Sequence, residues 1–200
     1  YLLVNAAECE PLLEHNMKQI MEEPEKTIHG IQYAMKICNA KQAVIAIKKK
    51  HEKEIALLLE KLKNYPEITL HLLPDIYPMG EERAVVREIL GKALPSEADA
   101  VVINIETCLR IAEAIEDKKP SFLKNITVGG KLKKGTESQV FLNVPVGTTV
   151  GELIEMAGGI DGEYGEIILG GPFTGSAVEL STPITKTSGG ILVTGPFKDL

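Results

Sequence analysis

The feature that most constrains the fold is a regular alternation of short apolar runs with helix-like patterns over residues 1–120. The run "AVIAI" (43–47) is continuous and rich in β-branched residues, which is typical of a parallel strand covered on both faces. In the segment that follows, about 52–63, apolar residues recur at three- and four-residue spacing, as in an amphipathic helix. The alternation therefore predicts an α/β domain, a three-layer sandwich around a mostly parallel sheet. Its other predicted elements are strands at 1–4, 68–73 and 99–107 and helices at about 14–22, 25–38, 81–91 and 106–117.

After Pro120 the pattern changes, because glycines cluster, strands become short and only one helix, at 149–158, is evident. The order strand, turn, strand, helix, strand is that of a β-grasp, a small α+β fold, so we predict domains at 1–120 and 121–200. We interpret the glycine-rich stretch "ILGGPFTG" (168–175) as a tight turn, since no helix follows it to direct amides at a phosphate. The β-grasp elements are predicted at 122–128, 138–144, 149–157 and 165–169.

Composition excludes several classes of protein. Residues are 44% hydrophobic and 25% charged, as in a folded globular chain, and no run approaches the length of a membrane span. The 22 basic against 28 acidic residues give a net charge of −6, which argues against a nucleic-acid partner. Cys9, Cys38 and Cys108 are odd in number and widely spaced, so we expect a reducing cytoplasm, no disulfide framework, and no zinc or iron–sulfur cluster held by this chain alone.

Polar residues follow three of the predicted strands. In an open parallel sheet, ligands bind in the crevice at the carboxyl ends of the strands, where helix N-termini and loop amides converge. We therefore expect a site there. The candidates are Asn5, Glu8 and Glu10 after the first strand, the loop "YPMGEER" (77–83) after the third, and "NIET" (104–107) after the fourth.

Each candidate also has a local explanation. Acidic residues such as Glu81 and Glu82 are favourable in a first helical turn, and Asn104 and Thr107 could simply cap a helix. The run Lys48–Lys50 is most simply a solvated helix start. The histidines show no metal-ligand spacing, and Cys9, between two carboxylates, would have its thiol pKa raised, which disfavours a nucleophile.

Three segments, "YLLVNAAECEP", "YPMGEERAVV" and "VINIETCLRIAEAI", in this order and at these separations, resemble the flavin-binding domain of the NADH-oxidising subunit of respiratory complex I. They are still more similar to its relatives, the C subunit of Rnf-type electron transport complexes and the proline reductase-associated electron transfer protein. The segments "VPVGTTVGELIEMAGG" and "EIILGGPFTGSAVELSTPITKTSGGILV" resemble the soluble-ligand-binding β-grasp domain that follows it. The resemblance covers nearly the whole chain.

The resemblance implies roles for the residues after the first strand. Asn5 and Glu8 match positions that line the flavin, and Glu10 matches the acidic position near the nicotinamide. The family pattern here is Asn-Ala-Asp-Glu, and Ala7 replaces the Asp, which removes one polar contact. The family's glycine-rich phosphate loop lies upstream of this strand and its cysteine-rich cluster domains lie downstream. Since the chain begins with Tyr1, we interpret it as a central portion that alone binds flavin weakly.

The resemblance also implies roles for the other two segments. Gly80, Glu81 and Glu82 match the Gly-Glu-Glu of the loop against the isoalloxazine ring, and Asn104 and Thr107 match an Asn-x-x-Thr near the flavin phosphate and ribityl chain. Amide donors suit the polar ring edge and the phosphate, while nearby carboxylates disfavour extra negative charge on a reduced flavin. No catalytic side chain and no metal ligand is implied in this chain.

Two functions remain open. The first is electron transfer, in which the intact parent passes electrons between NAD(H), FMN and iron–sulfur clusters, the clusters lying outside this chain. Its expected partners are other electron-transfer subunits or a reductase, and its expected location is the cytoplasm, peripheral to the inner face of the cell membrane. The second is a docking module without redox chemistry, which uses the β-grasp half to hold a small ligand, such as a corrinoid, or a partner subunit.

Overall fold

The computed structural model describes residues 1–8, 14–95, 98–118, 122–171 and 173–196. The chain divides into two compact units. The first comprises Tyr1–Cys9 and Asn16–Ser121, and the second comprises Glu10–His15 and Phe122–Leu200. Each unit has its own hydrophobic core, so each is described by itself.

The first unit is built on a parallel sheet whose described strands lie in the order β3-β2-β1-β4. The strands are β1 (Leu2–Asn5), β2 (Ala43–Lys48), β3 (Ile68–Leu73) and β4 (Val101–Asn104). The helices are α1 (His15–Glu22), α2 (Pro24–Ile37), α3 (Glu52–Lys61), α4 (Glu82–Ile89) and α5 (Ile105–Glu116), with a 3₁₀ turn at Leu62–Asn64. The strand N-terminal in sequence, β1, thus lies inside the sheet, between β2 and β4.

Alternate side chains of the strands enter two different cores. Val4 of β1 and Ile45 of β2 pack with residues of α1, α2, α3 and α5 on one face. Leu3 and Val44 pack on the other face with Val85 and other residues of α4. Because successive side chains of a strand point to opposite faces, a sheet buried on both sides has continuous apolar strands, as in "AVIAI". The predicted three-layer α/β fold with a parallel sheet is confirmed.

Helices α2 and α5 pack against each other at a glycine. A Cβ added to Gly30 would lie 1.7 Å from the carbonyl oxygen of Cys108. Only a residue without a side chain therefore allows this contact. The buried positions of α2 follow the three- and four-residue spacing that predicted the helix and include Ile28, Ile31 and Met35.

The second unit contains one mixed sheet with the described strand order β6-β5-β9-β7-β8. The pairs are antiparallel except β5 with β9, which is parallel. Its strands are β5 (Leu123–Gly130), β6 (Gln139–Pro145), β7 (Ile167–Leu169), β8 (Ser176–Val178) and β9 (Gly190–Val193), and its helix is α6 (Val150–Met156). The predicted hairpin, helix and following strand are present, and β8 and β9 are additions that the sequence analysis did not predict.

Local signals fix the helix and the glycine-rich turn of this unit. Thr149 caps α6 in a reciprocal capping box with Glu152, which satisfies amides that the first turn leaves without partners. The stretch 170–175 connects the antiparallel strands β7 and β8, and Gly170 has a φ of 112°. Ile168 and Leu169 belong to β7, so the predicted turn is narrower than 168–175, and the described residues that follow β7 agree with a turn. No helix in the described ranges has the length and apolar character that crossing a membrane requires.

Candidate functional site

The site is built at the carboxyl edge of the first unit's sheet. Asn5 ends β1 and is the register partner of Asn104, which ends β4, and of Ala46 in β2. Register partners in a parallel sheet carry their side chains on the same face. Both asparagines therefore lie on the face that α4 covers, at the edge where ligands bind in open α/β sheets.

Asn5 is almost buried, with 9% of its surface exposed, and both ends of its amide are used. Its Oδ1 accepts a hydrogen bond from the amide of Ala7 at 3.0 Å, which turns the chain as it leaves β1. Its Nδ2 donates to the carbonyl oxygen of Gly80 at 2.8 Å. The side chain thus joins the end of β1 to the loop that precedes α4.

That loop, at 74–81, is a compact turn. The amides of Gly80 and Glu81 both donate to the carbonyl of Pro78, at 2.8 and 2.9 Å, and the Met79 amide donates to the carbonyl of Ile76 at 2.8 Å. The Met79 side chain is buried in the core under α4. The loop therefore holds a defined shape, with Gly80 half-buried at the crevice.

The N-terminus of α4 follows this loop directly. Glu81 is the N-cap, and its carboxylate accepts a hydrogen bond from the amide of Ala84 at 3.1 Å. Glu82 and Arg83 are exposed in the first turn, and within the described part of the chain their amides donate to no acceptor. The local explanation of Glu81 as a residue that stabilises the helix start therefore holds, and the first turn keeps two amides of the kind that a helix leaves without intrahelical acceptors.

Asn104 has the equivalent place at α5. It is the N-cap, and its Oδ1 accepts from the amide of Glu106 at 2.8 Å. Its Nδ2 forms no hydrogen bond within the described ranges. Thr107, one turn into the helix, is exposed. Capping thus accounts for the Asn104 oxygen, while the amide nitrogen and the Thr107 hydroxyl remain as donors.

The carboxylate of Glu8 reaches a third helix start. Its Oε1 accepts from the amide of Asn16 at 2.9 Å, in the first turn of α1. Glu8 therefore stabilises the entry to α1, whatever further role it has. Glu10 lies outside the described residues.

The structure differs from the sequence-based prediction for the lysines at the end of β2. The interpretation of Lys48–Lys50 as a solvated helix start is wrong for Lys48. Lys48 is the last residue of β2 and is 9% exposed, whereas Lys50 is exposed and α3 begins only at Glu52. The apolar run "AVIAI" directly before Lys48 could have indicated its burial. A strand covered on both faces can include one further residue at its end, and that residue is then buried too.

A buried charged cluster on α5 was not anticipated. Arg110 is 6% exposed and its Nη1 donates to the Glu113 carboxylate at 3.0 and 3.2 Å. Its Nη2 lies 3.5 Å from Glu106 Oε1. The i,i+3 and i,i+4 spacing in "ETCLRIAEAIE" was the available signal. A buried cation needs such partners, because its desolvation otherwise costs several kcal/mol.

The Cys108 thiol is unsuited to act as a nucleophile, and the described groups offer no metal centre. Burial raises the pKa of the Cys108 thiol to about 12, so the thiol stays protonated at neutral pH. In the part of the chain that the structure describes, no group of three or more His, Cys, Asp or Glu residues could hold a metal ion. The chemistry of the edge is that of hydrogen-bond donors around an open crevice.

The first unit is thus an α/β domain with paired asparagines and two helix N-termini at the carboxyl edge of one parallel sheet. The model of the Nuo51 FMN-binding domain family matches residues 1–113. The chain belongs to this family.

Curated relatives match nearly the whole chain. Cobalamin reductase PduS of Salmonella typhimurium is 37% identical over 197 residues, which are 96% of this chain and 42% of that protein. The C subunit of the proton-translocating ferredoxin:NAD(+) oxidoreductase complex of Clostridium ljungdahlii is 33% identical over 196 residues, 95% of this chain and 42% of that protein. The chain therefore spans about two fifths of the length of these relatives.

A solved structure shares the fold. It is described as the crystal structure of an NAD+-reducing [NiFe]-hydrogenase in the H2-reduced state, and it superposes with a TM-score of 0.77 at 19% identity. The match covers 97% of this chain and 40% of the hydrogenase chain. The two chains thus share the arrangement of strands and helices over this region.

Proposed function

We propose that this chain is the flavin-binding part of an electron-transfer subunit whose intact protein passes electrons between NAD(H), FMN and iron–sulfur clusters. The observation that carries the proposal is the convergence of Asn5, Gly80 and Asn104 at one sheet edge, within the residues that match an FMN-binding family. The names of the relatives, an NAD-linked oxidoreductase subunit and a cobalamin reductase, support the same class of chemistry.

The donors at this edge fit FMN. A flavin presents carbonyl oxygens on its ring, hydroxyls on its ribityl chain and a phosphate, all of which accept hydrogen bonds. The edge offers the Asn104 amide nitrogen, the Thr107 hydroxyl and the first-turn amides of Glu82 and Arg83, while half-buried Gly80 permits close approach of a flat ring. When bound, FMN would accept a hydride from NADH and release electrons singly.

The protein groups position the ligand rather than react with it. We propose that Asn5 holds the Gly80 loop against β1, that Glu81 and Asn104 fix the two helix starts, and that Glu82 and Thr107 face the ligand. Glu8 is proposed to line the flavin, and Glu10, which lies outside the described residues, is proposed to lie near the nicotinamide. No side chain here is assigned a covalent role.

The wider setting is part of the proposal. We place the iron–sulfur clusters outside this chain, with other electron-transfer subunits or a reductase as partners. The relative from Clostridium ljungdahlii is named as a subunit of a proton-translocating complex, which supports a cytoplasmic location peripheral to the inner face of the membrane. We also retain the predicted domains 1–120 and 121–200 as the functional division.

A second candidate is a docking role for the second unit. A groove of about 520 Å³ lies beside the edge strand β8 and is lined by residues that include Tyr164, Glu166, Val178 and Leu180. Such a groove could hold a small ligand or a segment of a partner subunit. This role would leave the Asn5 and Asn104 edge dispensable.

One experiment distinguishes the two functions. Full-length protein is titrated with FMN, and flavin fluorescence gives the Kd for the wild type and for Asn104→Asp. Aspartate caps a helix as well as asparagine does but cannot donate, so we expect about tenfold weaker FMN binding, roughly the loss of one hydrogen bond to a charged or polar group. The matched control is Asn64→Asp, which adds the same charge at an exposed position on the 3₁₀ turn after α3.

The outcomes are decisive. A full-length wild type that stays free of flavin at saturating FMN overturns electron transfer through FMN. Equal FMN affinity of Asn104→Asp and the Asn64→Asp control removes Asn104 from the site. Loss of FMN binding on Asn104→Asp contradicts the docking role as the sole function.

A further inference from the structure

Side-chain interactions hold the loop at 74–81 at both of its ends. Only the interaction at the C-terminal end belongs to the site already described. At its C-terminal end, Asn5 Nδ2 donates to the carbonyl of Gly80. At its N-terminal end, the carboxylate of Asp75 lies against two lysines of the neighbouring strand and turn, 3.6 Å from Lys48 Nζ and 3.1 Å from Lys50 Nζ. Asp75 thus links the loop to the end of β2.

The geometry of the strands brings these charges together. Lys48 is the register partner of Leu73, the last residue of β3, and the amide of Lys49 donates to the Leu73 carbonyl at 2.9 Å. The backbone pairing therefore continues past β2 and places Asp75, two residues after Leu73, beside the lysine side chains. The same pairing directs Lys48 to the sheet face of α4, the face of Asn5.

The charges need each other. The Lys48 side chain is 11% exposed, and a cation taken so far out of water requires a nearby negative charge. Asp75 supplies it. In return, the hydrogen bond from Lys50, together with the charges of both lysines, lowers the pKa of Asp75 below its usual value. The carboxylate therefore stays ionised throughout the neutral range.

We propose that Asp75, Lys48 and Lys50 form an ionic clasp that positions the loop at 74–81 and so presents Gly80–Glu82 to the flavin. This inference rests on the proposed function. The three are positioning residues, which act through the loop and do not touch the ligand. Between the two ends of the loop, Ile76 and Tyr77 are exposed, and toward its C-terminal end the loop is held by the buried Met79 side chain and the Asn5 hydrogen bond.

The clasp is tested first without any ligand. Hydrogen exchange followed by mass spectrometry is measured on full-length wild type, Asp75→Asn and Asp75→Glu. We expect the amides of Met79, Gly80 and Glu81 to exchange about threefold faster or more in Asp75→Asn, because their hydrogen bonds open with the loop. Asp75→Glu, which restores the carboxylate, should return exchange toward the wild-type rate. The matched control is Asp117→Asn, which removes the carboxylate of another Asp–Lys pair, with Lys26, outside the loop.

The second readout is flavin binding. We expect FMN to bind Asp75→Asn about two- to fivefold more weakly than wild type, a factor set by the usual strength of a partly exposed ion pair, and Asp117→Asn to bind as wild type. Added KCl should weaken FMN binding less in Asp75→Asn than in wild type, since screening acts on the clasp.

The outcomes separate the two proposals. Unchanged exchange in Asp75→Asn, or equal exchange in the Asn and Glu variants, overturns the clasp. Faster exchange with an unchanged FMN Kd overturns its positioning role. A wild type that binds no FMN overturns the proposed function, while the exchange rates still decide whether the clasp exists.

Discussion

Asn5 and Asn104 end two adjacent parallel strands in register, and each side-chain oxygen accepts the amide two residues further along the chain, from Ala7 and Glu106 respectively. The two amide nitrogens differ. That of Asn5 donates to Gly80 inside the protein, whereas that of Asn104 points to no acceptor within the described ranges. One asparagine therefore joins the strand end to the loop before α4, and the other caps α5.

This difference predicts unequal effects of the same substitution. Asn5→Asp keeps an acceptor for the Ala7 amide but loses the donor to Gly80, and it places a nearly buried carboxylate against a carbonyl oxygen. We expect the free energy of unfolding to fall by about 1–3 kcal/mol. Asn104→Asp, exposed and still a good cap, should change it by less than about 0.5 kcal/mol. Urea denaturation at pH 7 measures both, and equal losses would contradict the assignment.

The contact between α2 and α5 predicts a large effect at Gly30. Alanine is normally favoured over glycine in a helix by about 1 kcal/mol, but here its Cβ would lie 1.7 Å from the Cys108 carbonyl oxygen. We expect Gly30→Ala to destabilise the protein by about 3 kcal/mol or more. The control is Gly151→Ala in α6, where the Cβ would lie 3.0 Å from the Leu180 carbonyl oxygen and a smaller loss is expected. If Gly30→Ala is as stable as wild type in a denaturant titration, α2 and α5 can move apart at little cost in free energy, and the prediction is wrong.

His71 predicts a stability that depends on pH. Burial lowers its pKa from 6.5, with the Glu88 carboxylate opposing the shift and Lys92 adding to it. Below pH 6.5 the unfolded chain therefore binds more protons at this position than the folded chain, so His71 makes stability fall as the pH is lowered. Its Nε2 is buried without a hydrogen-bond partner in the described part of the chain. We expect His71→Leu to lose less stability between pH 7 and about pH 5. Parallel stability curves for the two proteins would refute this.

Cysteine reactivity follows from burial. The thiol of Cys108 is fully buried and its pKa is raised to about 12, so it should resist iodoacetamide in the native protein. Cys38, which is partly exposed, should be modified first. Peptide mass spectrometry after timed alkylation, with and without urea, checks the order. Modification of Cys108 at the rate of Cys38 without urea would mean that α5 opens readily.

The sequence was informative where one physical pattern dominates. The branched run at 43–47 favours a strand covered on both faces, and helix spacing located α2 and α3 within a few residues. The convergence of Asn5 and Asn104 followed from the rule that parallel strands share a carboxyl edge. The assignment of Glu10 and the roles of the site residues toward a ligand stay predictions.

The remaining features depend on contacts between distant residues. The hydrogen bond between Asn5 and Gly80, and the ion pairs of Asp75 with Lys48 and Lys50, join segments that no local pattern relates. The short strands β8 and β9 have weak patterns of their own. Their assignment as strands depends on pairing with β7 and β5, which are distant in sequence or follow a loop. The sequence does not decide whether the Glu81 carboxylate caps α4 or binds a ligand. In the structure it accepts a hydrogen bond from the amide three residues further along the chain, so it acts as a cap.

The internal place of β1 has a consequence for biosynthesis. Its two neighbours come from residues 43–48 and 101–104, so one side of this strand stays open on the ribosome until nearly a hundred further amino acids have been added. Distant pairings of this kind close slowly. A nascent chain stalled before Val101 would expose an apolar strand edge to chaperones, and release of β4 from the exit tunnel would be the step that commits the domain to its native shape.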